Sequence, residues 1–327
     1  MHLVKKTMLR IVTMVVLFLT SCEHHPFSVE ALDPLQIIIT ETNLDSLILS
    51  VKGLSGEQSV NIEGASYTIN SRHKDDPGND LAADYIEQNL ERYGLEVVNQ
   101  HFSETGRNIY AVQWGSRTRD EAYIICAHYD SYSTTGTATG ADDNASGTAT
   151  VLEAARLLSN YNTDYSIVYA FWDEEEQGLR GSSYYAAQAK ISHENILGVI
   201  NIDMIGWDSD TQETVLIDTD DGLNSLKLYD KVKDTNDHYQ IGLAVQETNG
   251  LGRSDHASFW RNGFGAILII EHFGSDWNPF YHTPEDRMDH FNLSYFHKCA
   301  RLAIGTLAAL AETRITARKR GFTISAQ

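Results

Sequence analysis

Residues 123–147, YIICAHYDSYSTTGTATGADDNASG, decide the reading of this chain. They begin with a short apolar run, Tyr123 to Ala127, which is the pattern of a buried strand. The run stops at His128, and Asp130 follows two residues later. A loop of Ser, Thr and Gly then leads to Asp142, Asp143 and Asn144. Apolar positions at helical spacing (Val151 or Leu152, Ala155, Leu158) come directly after. An imidazole beside a carboxylate, with further carboxylates past the end of a central strand, is what a metal site in an open α/β sheet requires.

The flanking sequence alternates in the same manner. Apolar runs at 95–102, 109–114, 122–127, 166–172, 196–204, 215–217 and 265–270 read as strands, with Asp203 inside the fifth of them. Helical spacing covers 35–54, 178–190, 223–232 and 291–311, and a further helix capped by Asn79 or Asp80 and ended by Gly94. Strands alternating with helices predict an α/β fold, a mostly parallel mixed sheet with helices on both faces.

Composition fits a soluble globular protein, with 42 % apolar and 21 % charged residues among 327. The formal net charge of −20 excludes a nucleic-acid-binding surface of the usual basic kind. At the N-terminus, Lys5, Lys6 and Arg10 precede a short apolar run, and Leu19-Thr20-Ser21-Cys22 follows. A basic segment ahead of so short an apolar run reads as a secretory leader rather than a membrane span. Small residues before a cysteine resemble a bacterial lipobox, which implies cleavage before Cys22 and its lipidation. The expected organisation is a leader at 1–21, a tether at 22–34, one large domain at 35–313 and a basic tail at 314–327. The expected location is the bacterial cell envelope, lipid-anchored. Glu23 after the cysteine resembles outer-membrane sorting. Cys126 and Cys299 sit in apolar surroundings and are expected as buried free thiols.

Five clusters stand at strand ends or in the loops after them: His128-Tyr129-Asp130, Asp142-Asp143, Glu174-Glu175-Glu176, Asp203, and His282 within 281–286. Each alone has a plain explanation, a satisfied polar residue or a solvated acidic face. Asp203 is harder to explain away, because it interrupts an apolar run and an ionised carboxylate there needs a cation or donors. Two imidazoles with several carboxylates suit zinc. Two zinc ions roughly 3.5–4 Å apart would share a bridging carboxylate.

Six segments in order, AHYDS (127–131), GADDNASG (140–147), EEQGLRGS (175–182), NIDM (201–204), SDHASF (254–259) and YHTPED (281–286), resemble the di-zinc aminopeptidases of clan MH. That group includes secreted bacterial leucine aminopeptidases and is related to glutamate carboxypeptidases and glutaminyl cyclases. The resemblance implies the zinc exopeptidase fold, two zinc ions and peptide substrates. It makes Asp143 the bridging ligand, places His128 and Asp203 on one ion, and Glu176 and His282 on the other. It gives Glu175 the role of general base toward a metal-bridging water. It also implies a cis peptide bond after Asp143. Asp130 is expected to accept from the far nitrogen of His128, and Tyr281 to donate to a developing oxyanion. Three consecutive side chains, Ser254-Asp255-His256, cannot form a hydrolytic triad; a supporting or substrate-contacting role is expected, with Asp255 and His256 as the supporting residues. The alternatives are a glutaminyl cyclase, a carboxypeptidase or dipeptidase of the same fold, and a non-catalytic binding module. No clear cluster of arginines stands out to hold a substrate carboxylate; Arg72, Arg180 and Arg253 are the ones left open for it. The sequence assigns no oligomeric state.

Overall fold

Apolar runs followed at once by polar or acidic residues become strands whose chemistry lies just past their ends. The computed structural model describes residues 33–222 and 224–314. The leader, Cys22 and the tail beyond Arg314 lie outside the described residues. In chain order the elements are α1 (Pro34–Glu41), α2 (Leu44–Leu54), β1 (Val60–Ile62), β2 (Ala65–Tyr67), α3 (Pro77–Arg92), β3 (Glu96–His101), β4 (Arg107–Gln113), β5 (Thr118–His128) and α4 (Gly147–Leu158). Then come β6 (Tyr165–Trp172), α5 (Arg180–Ile191), β7 (Asn195–Ile202), β8 (Thr214–Thr219), α6 (Ser225–His238), β9 (Ala244–Asn249), α7 (His256–Asn262), β10 (Ala266–Glu271) and α8 (Leu293–Leu310).

Eight strands form one mixed sheet in the order β3-β4-β6-β5-β7-β10-β8-β9, and β1 pairs with β2 in a separate hairpin. The central four, β6-β5-β7-β10, are all parallel to one another. Antiparallel pairing occurs only outside that centre, at β3–β4, β4–β6 and β10–β8. Parallel central strands bring their carboxyl ends to one edge, where open α/β sheets place their ligands.

The strand period of two sorts side chains to two cores. Ile125, Ala127, Ile167, Tyr169, Phe171, Ile200 and Ile202 face a core shared with α1 to α4, α6 and α8. Ile124, Cys126, Val168, Ala170, Trp172 and Val199 face the other, covered by Tyr185 and Ala186 of α5 and Phe259 of α7. Both faces are thus buried, which is why the central strands read as unbroken apolar runs. Cys126 and Cys299 are buried free thiols.

Several boundaries differ from the sequence reading. The helix expected at 35–54 is two helices, because the side chain of Asn43 accepts from Ser46 N–H at 2.8 Å and starts α2 afresh. Neither Asn79 nor Asp80 caps α3; the helix begins at Pro77, and the buried Asn79 instead donates to Arg72 O and Asp173 Oδ1. The helix expected from Gly178 starts at Arg180, since Gly178 (φ +99°) and Leu179 (φ +60°) form a left-handed turn first. Asp203 lies beyond β7, which ends at Ile202, so it is a loop residue and not a strand residue. The hairpin β1–β2, the strand β9 and the helix α7 have no counterpart in the sequence reading.

Candidate metal centre

Four neighbouring parallel strands deliver the polar side chains. His128 is the last residue of β5, Glu175 and Glu176 stand in the turn after β6, Asp203 follows β7, and His282 lies in the loop after β10. Asp143 comes from the irregular turn Ala141–Ser146 that leads into α4. The peptide bond between Asp143 and Asn144 is cis.

These residues meet in two groups that share Asp143. His128 Nε2 lies 3.3 Å from Asp143 Oδ1 and 3.4 Å from Asp203 Oδ1. His282 Nε2 lies 3.1 Å from Asp143 Oδ2 and 3.0 Å from Glu176 Oε2. In each group the donor atoms all fall within 4.8 Å of one another. Donors on a tetrahedron with bonds of ~2.0 Å lie about 3.3 Å apart, so these separations fit cation ligation. Hydrogen bonding accounts for the contacts less well. Asp203 Oδ1, Glu176 Oε1 and His282 Nε2 are buried with no hydrogen-bond partner, despite the short approach of His282 to two carboxylates. Unpaired buried carboxylate and imidazole atoms of this kind are costly without a cation. A nitrogen and oxygen set is one that zinc accepts.

Backbone donors and short polar side chains hold these residues in place. Asp130 is fully buried, and its two carboxylate oxygens accept the amide N–H of Glu175 (3.1 Å) and Glu176 (3.2 Å). The expected link from Asp130 to His128 is therefore only part of its role. The Nδ1 of His128 stands 3.3 Å from both the carbonyl oxygen and Oδ1 of Asp130. Asp286 accepts the amides of Asp142 (2.8 Å) and Asp143 (3.0 Å), which fixes the turn carrying Asp143. Ser254 Oγ donates to Asp203 Oδ2 at 2.7 Å and itself accepts from Asn201. Thr148 Oγ donates to His128 O at 2.8 Å. Asp286 was not singled out from the sequence, although it lies inside the last motif, whereas Ser254 was named only within the Ser254-Asp255-His256 run.

Electrostatics follow from packing so many acids together. Burial drives Glu175 well above the usual carboxylate range; Asp255, Asp203 and Glu176 add to the rise and His128 opposes it. Burial and the nearby Asp143 raise Glu176 to about 8. For His282, burial opposes protonation, but contacts with Asp143 and Glu176 win and raise it to about 10. Burial likewise opposes a charged Asp143, yet the two imidazoles hold it below the usual range. A divalent cation among these oxygens would stabilise every carboxylate at once and displace the imidazole protons.

The remaining expected residues divide. Tyr281 stacks on His282 (ring centroids 3.7 Å apart) and meets Trp277 edge-on. Its ring lines the same cavity of about 670 Å³ as Asp143, Glu175, Glu176 and Asp203. Asp255 is fully buried with both carboxylate oxygens lacking hydrogen bonds. His256 differs from expectation: its Nε2 pairs with Asp218 at 3.1 Å and its ring packs edge-on against Trp260, so it bonds none of the five residues above. Two of the three arginines are otherwise engaged. Arg72 is fully buried and donates to Tyr129 O, Leu54 O, Thr139 O and Gly140 O, clamping the loop after β5. Arg180 pairs with Glu174. Neither is free for a substrate, whereas Arg253 lines the cavity.

The family model of peptidase family M28 matches residues 108–307. The chain is 30 % identical over 236 residues to leucine aminopeptidase 1 of the fungus Arthroderma otae, covering 68 % of this chain and 62 % of that protein. It thus spans less than two thirds of that relative's length. The LapA aminopeptidase of Legionella pneumophila superposes with a TM-score of 0.74 at 24 % identity, over 85 % of this chain and 74 % of that one. A zinc aminopeptidase of Bacillus subtilis superposes with a TM-score of 0.56 at 27 % identity, over 62 % of this chain and 50 % of that one.

Proposed function

This chain belongs to peptidase family M28, and on that footing we propose that it is a zinc-dependent aminopeptidase that removes N-terminal residues from peptides. One observation carries the proposal: two donor groups, His128–Asp143–Asp203 and Asp143–Glu176–His282, share a carboxylate, and their three carboxylates line one cavity with Glu175. Two separate groups favour two ions, with Asp143 common to both.

Bound zinc supplies Lewis acidity and makes water acidic near neutral pH. The chain's own residues do the rest. Glu175 takes a proton at its carboxylate from a water in the cavity and returns it to the leaving amine, work worth about 10²–10⁴ in rate. Asp130 fixes the backbone on both sides of that carboxylate. Tyr281 lines the same cavity, which supports a role for its hydroxyl in donating to the carbonyl oxygen as negative charge develops there. Five carboxylates line the cavity, Asp143, Glu175, Glu176, Asp203 and Glu271, and favour a substrate that brings a free amine to the reacting end. Ser254 steadies Asp203, and Asp255 lies buried beside it.

Hydrolysis of peptides with free and with acetylated amino termini, with and without a chelator, tests the proposal. The expected outcome is cleavage of the free series alone, lost on chelation and regained with zinc. Equal cleavage of acetylated peptides, or activity that survives metal removal, would refute it. Cyclisation of an N-terminal glutamine peptide without hydrolysis would point to glutaminyl cyclase chemistry instead. The leader and Leu19-Thr20-Ser21-Cys22 support export and lipid attachment at Cys22, with the reaction in the cell envelope. Fractionation checks this: the native chain should sediment with membranes and a Cys22→Ala variant should not.

A further inference from the structure

The cavity that holds the proposed reaction centre contains two guanidinium groups. Arg253 directly precedes Ser254, whose hydroxyl holds Asp203, and Arg261 projects from α7. Neither side chain has a hydrogen bond or ion pair to another described residue, whereas Arg72, Arg107, Arg156 and Arg180 are all so engaged. Both arginines are exposed and share the cavity's lining with five carboxylates, so they are the cationic residues there that are open to an incoming anion. The same cavity is lined by the apolar residues Leu251, Leu268, Ile270 and Phe273. A guanidinium presents paired donors that match a carboxylate.

We propose that Arg253 and Arg261 form a carboxylate-binding subsite, so that this enzyme favours substrates carrying a carboxylate close to the bond it cleaves. The inference rests on the aminopeptidase reading, since it takes the cavity to be the peptide site. The carboxylate has two possible sources: the C-terminus of a short peptide, or an acidic side chain. The apolar wall accommodates the carbon skeleton in either case.

The test compares matched pairs that differ only in that charge. Leu-Leu is set against Leu-Leu-amide, and glutamyl-p-nitroanilide against glutaminyl-p-nitroanilide, using the zinc-loaded enzyme, Arg253→Gln and Arg261→Gln. The native enzyme should favour the charged member of at least one pair about tenfold or more in kcat/KM, mainly through KM. Each variant should shrink that ratio about tenfold. Loss confined to the Leu-Leu pair assigns the C-terminal source, and loss confined to the glutamyl pair assigns the side-chain source. Ratios unchanged in both variants, with leucyl peptides still hydrolysed, overturn the subsite. If no free-amine peptide is hydrolysed, the aminopeptidase reading fails by itself. Calorimetric titration of glutamate against glutamine then still decides the subsite, and equal affinities in the native chain and both variants overturn it.

Discussion

Replacing Asp130 with asparagine isolates the role of a residue that touches no substrate. Its carboxylate is fully buried and accepts two backbone N–H groups, those of Glu175 at 3.1 Å and Glu176 at 3.2 Å. Asparagine has the same shape, but one of its two polar ends is a donor. Whichever way it turns, one of the two N–H groups would face an N–H₂ and lose its acceptor. A hydrogen bond to a charged group contributes about 1.5–3 kcal/mol, and the surviving bond would lose its charge assistance. The expected destabilisation is therefore about 2–4 kcal/mol. The same change loosens the turn that carries Glu176 and removes the carboxylate 3.3 Å from His128 Nδ1. Loss of a partner that orients ligands lowers metal affinity by about 10–100-fold. Urea unfolding in the presence of a chelator gives the first quantity, and competition with a chromophoric chelator gives the second. Zinc affinity within about threefold of the native value, with stability changed by less than ~0.5 kcal/mol, would show that Asp130 positions nothing.

Glu175→Gln should lower kcat by about 10²–10⁴ while zinc content stays near native, because Glu175 belongs to neither donor group; undiminished turnover would dismiss it as the base. At Gly147, a Cβ would sit 2.5 Å from Ile202 O, immediately before Asp203. Gly147→Ala should cost about 1–3 kcal/mol by denaturant titration and depress activity as well, since the strained carbonyl precedes a donor residue; a variant as stable and active as the native chain would contradict this packing. His256 gives a pH dependence. Burial lowers its pKa below the ordinary value, and Asp218 only partly opposes this. The unfolded chain then binds more protons in that range. The stability it contributes is present above about pH 6.5 and is lost as pH falls from there through the lower folded value, by at most ~1.4 kcal/mol per pH unit. Chelated protein should show a shallower slope between pH 7.5 and 5.5 in His256→Gln than in the native chain, and parallel slopes would contradict the assignment.

What could be read from the sequence depended on where the information is stored. The central strands β5, β6, β7 and β10 are buried on both faces, so they appear as apolar runs with acids or histidine just beyond, and their approximate position is local information. The strand β9, mostly exposed at a sheet edge, shows no clean alternation, and only its pairing with β8 makes it a strand. The hairpin β1–β2 and the short helix α7 are likewise defined by their surroundings. Asp203 read as a strand residue because Ile202, Met204 and Ile205 around it are apolar and no breaker marks the strand's end. Arg72 shows the opposite limit. In a polar loop it looks available to a substrate, yet four carbonyl oxygens from distant segments consume its donors.

The acidic run after β6 shows most clearly why composition alone could not assign roles. Four consecutive carboxylates occupy four different environments. Asp173 receives donors from Asn79 and the amide of Arg107, and burial raises it to about 7. Glu174 turns to Thr105 and Arg180. Glu175 lines the cavity, and Glu176 meets His282 at 3.0 Å. Backbone geometry produces this division, with Glu174 at φ +54° and the amides of Glu175 and Glu176 pinned by Asp130 from 45 and 46 residues away. Without that remote carboxylate the amides of Glu175 and Glu176 would lose the acceptor that holds these two acids apart. With it, adjacent residues take separate tasks, one at a donor group and one at the cavity. The chemistry of the turn is therefore imposed from β5, and a substitution at Asp130 should disturb both tasks together rather than either alone.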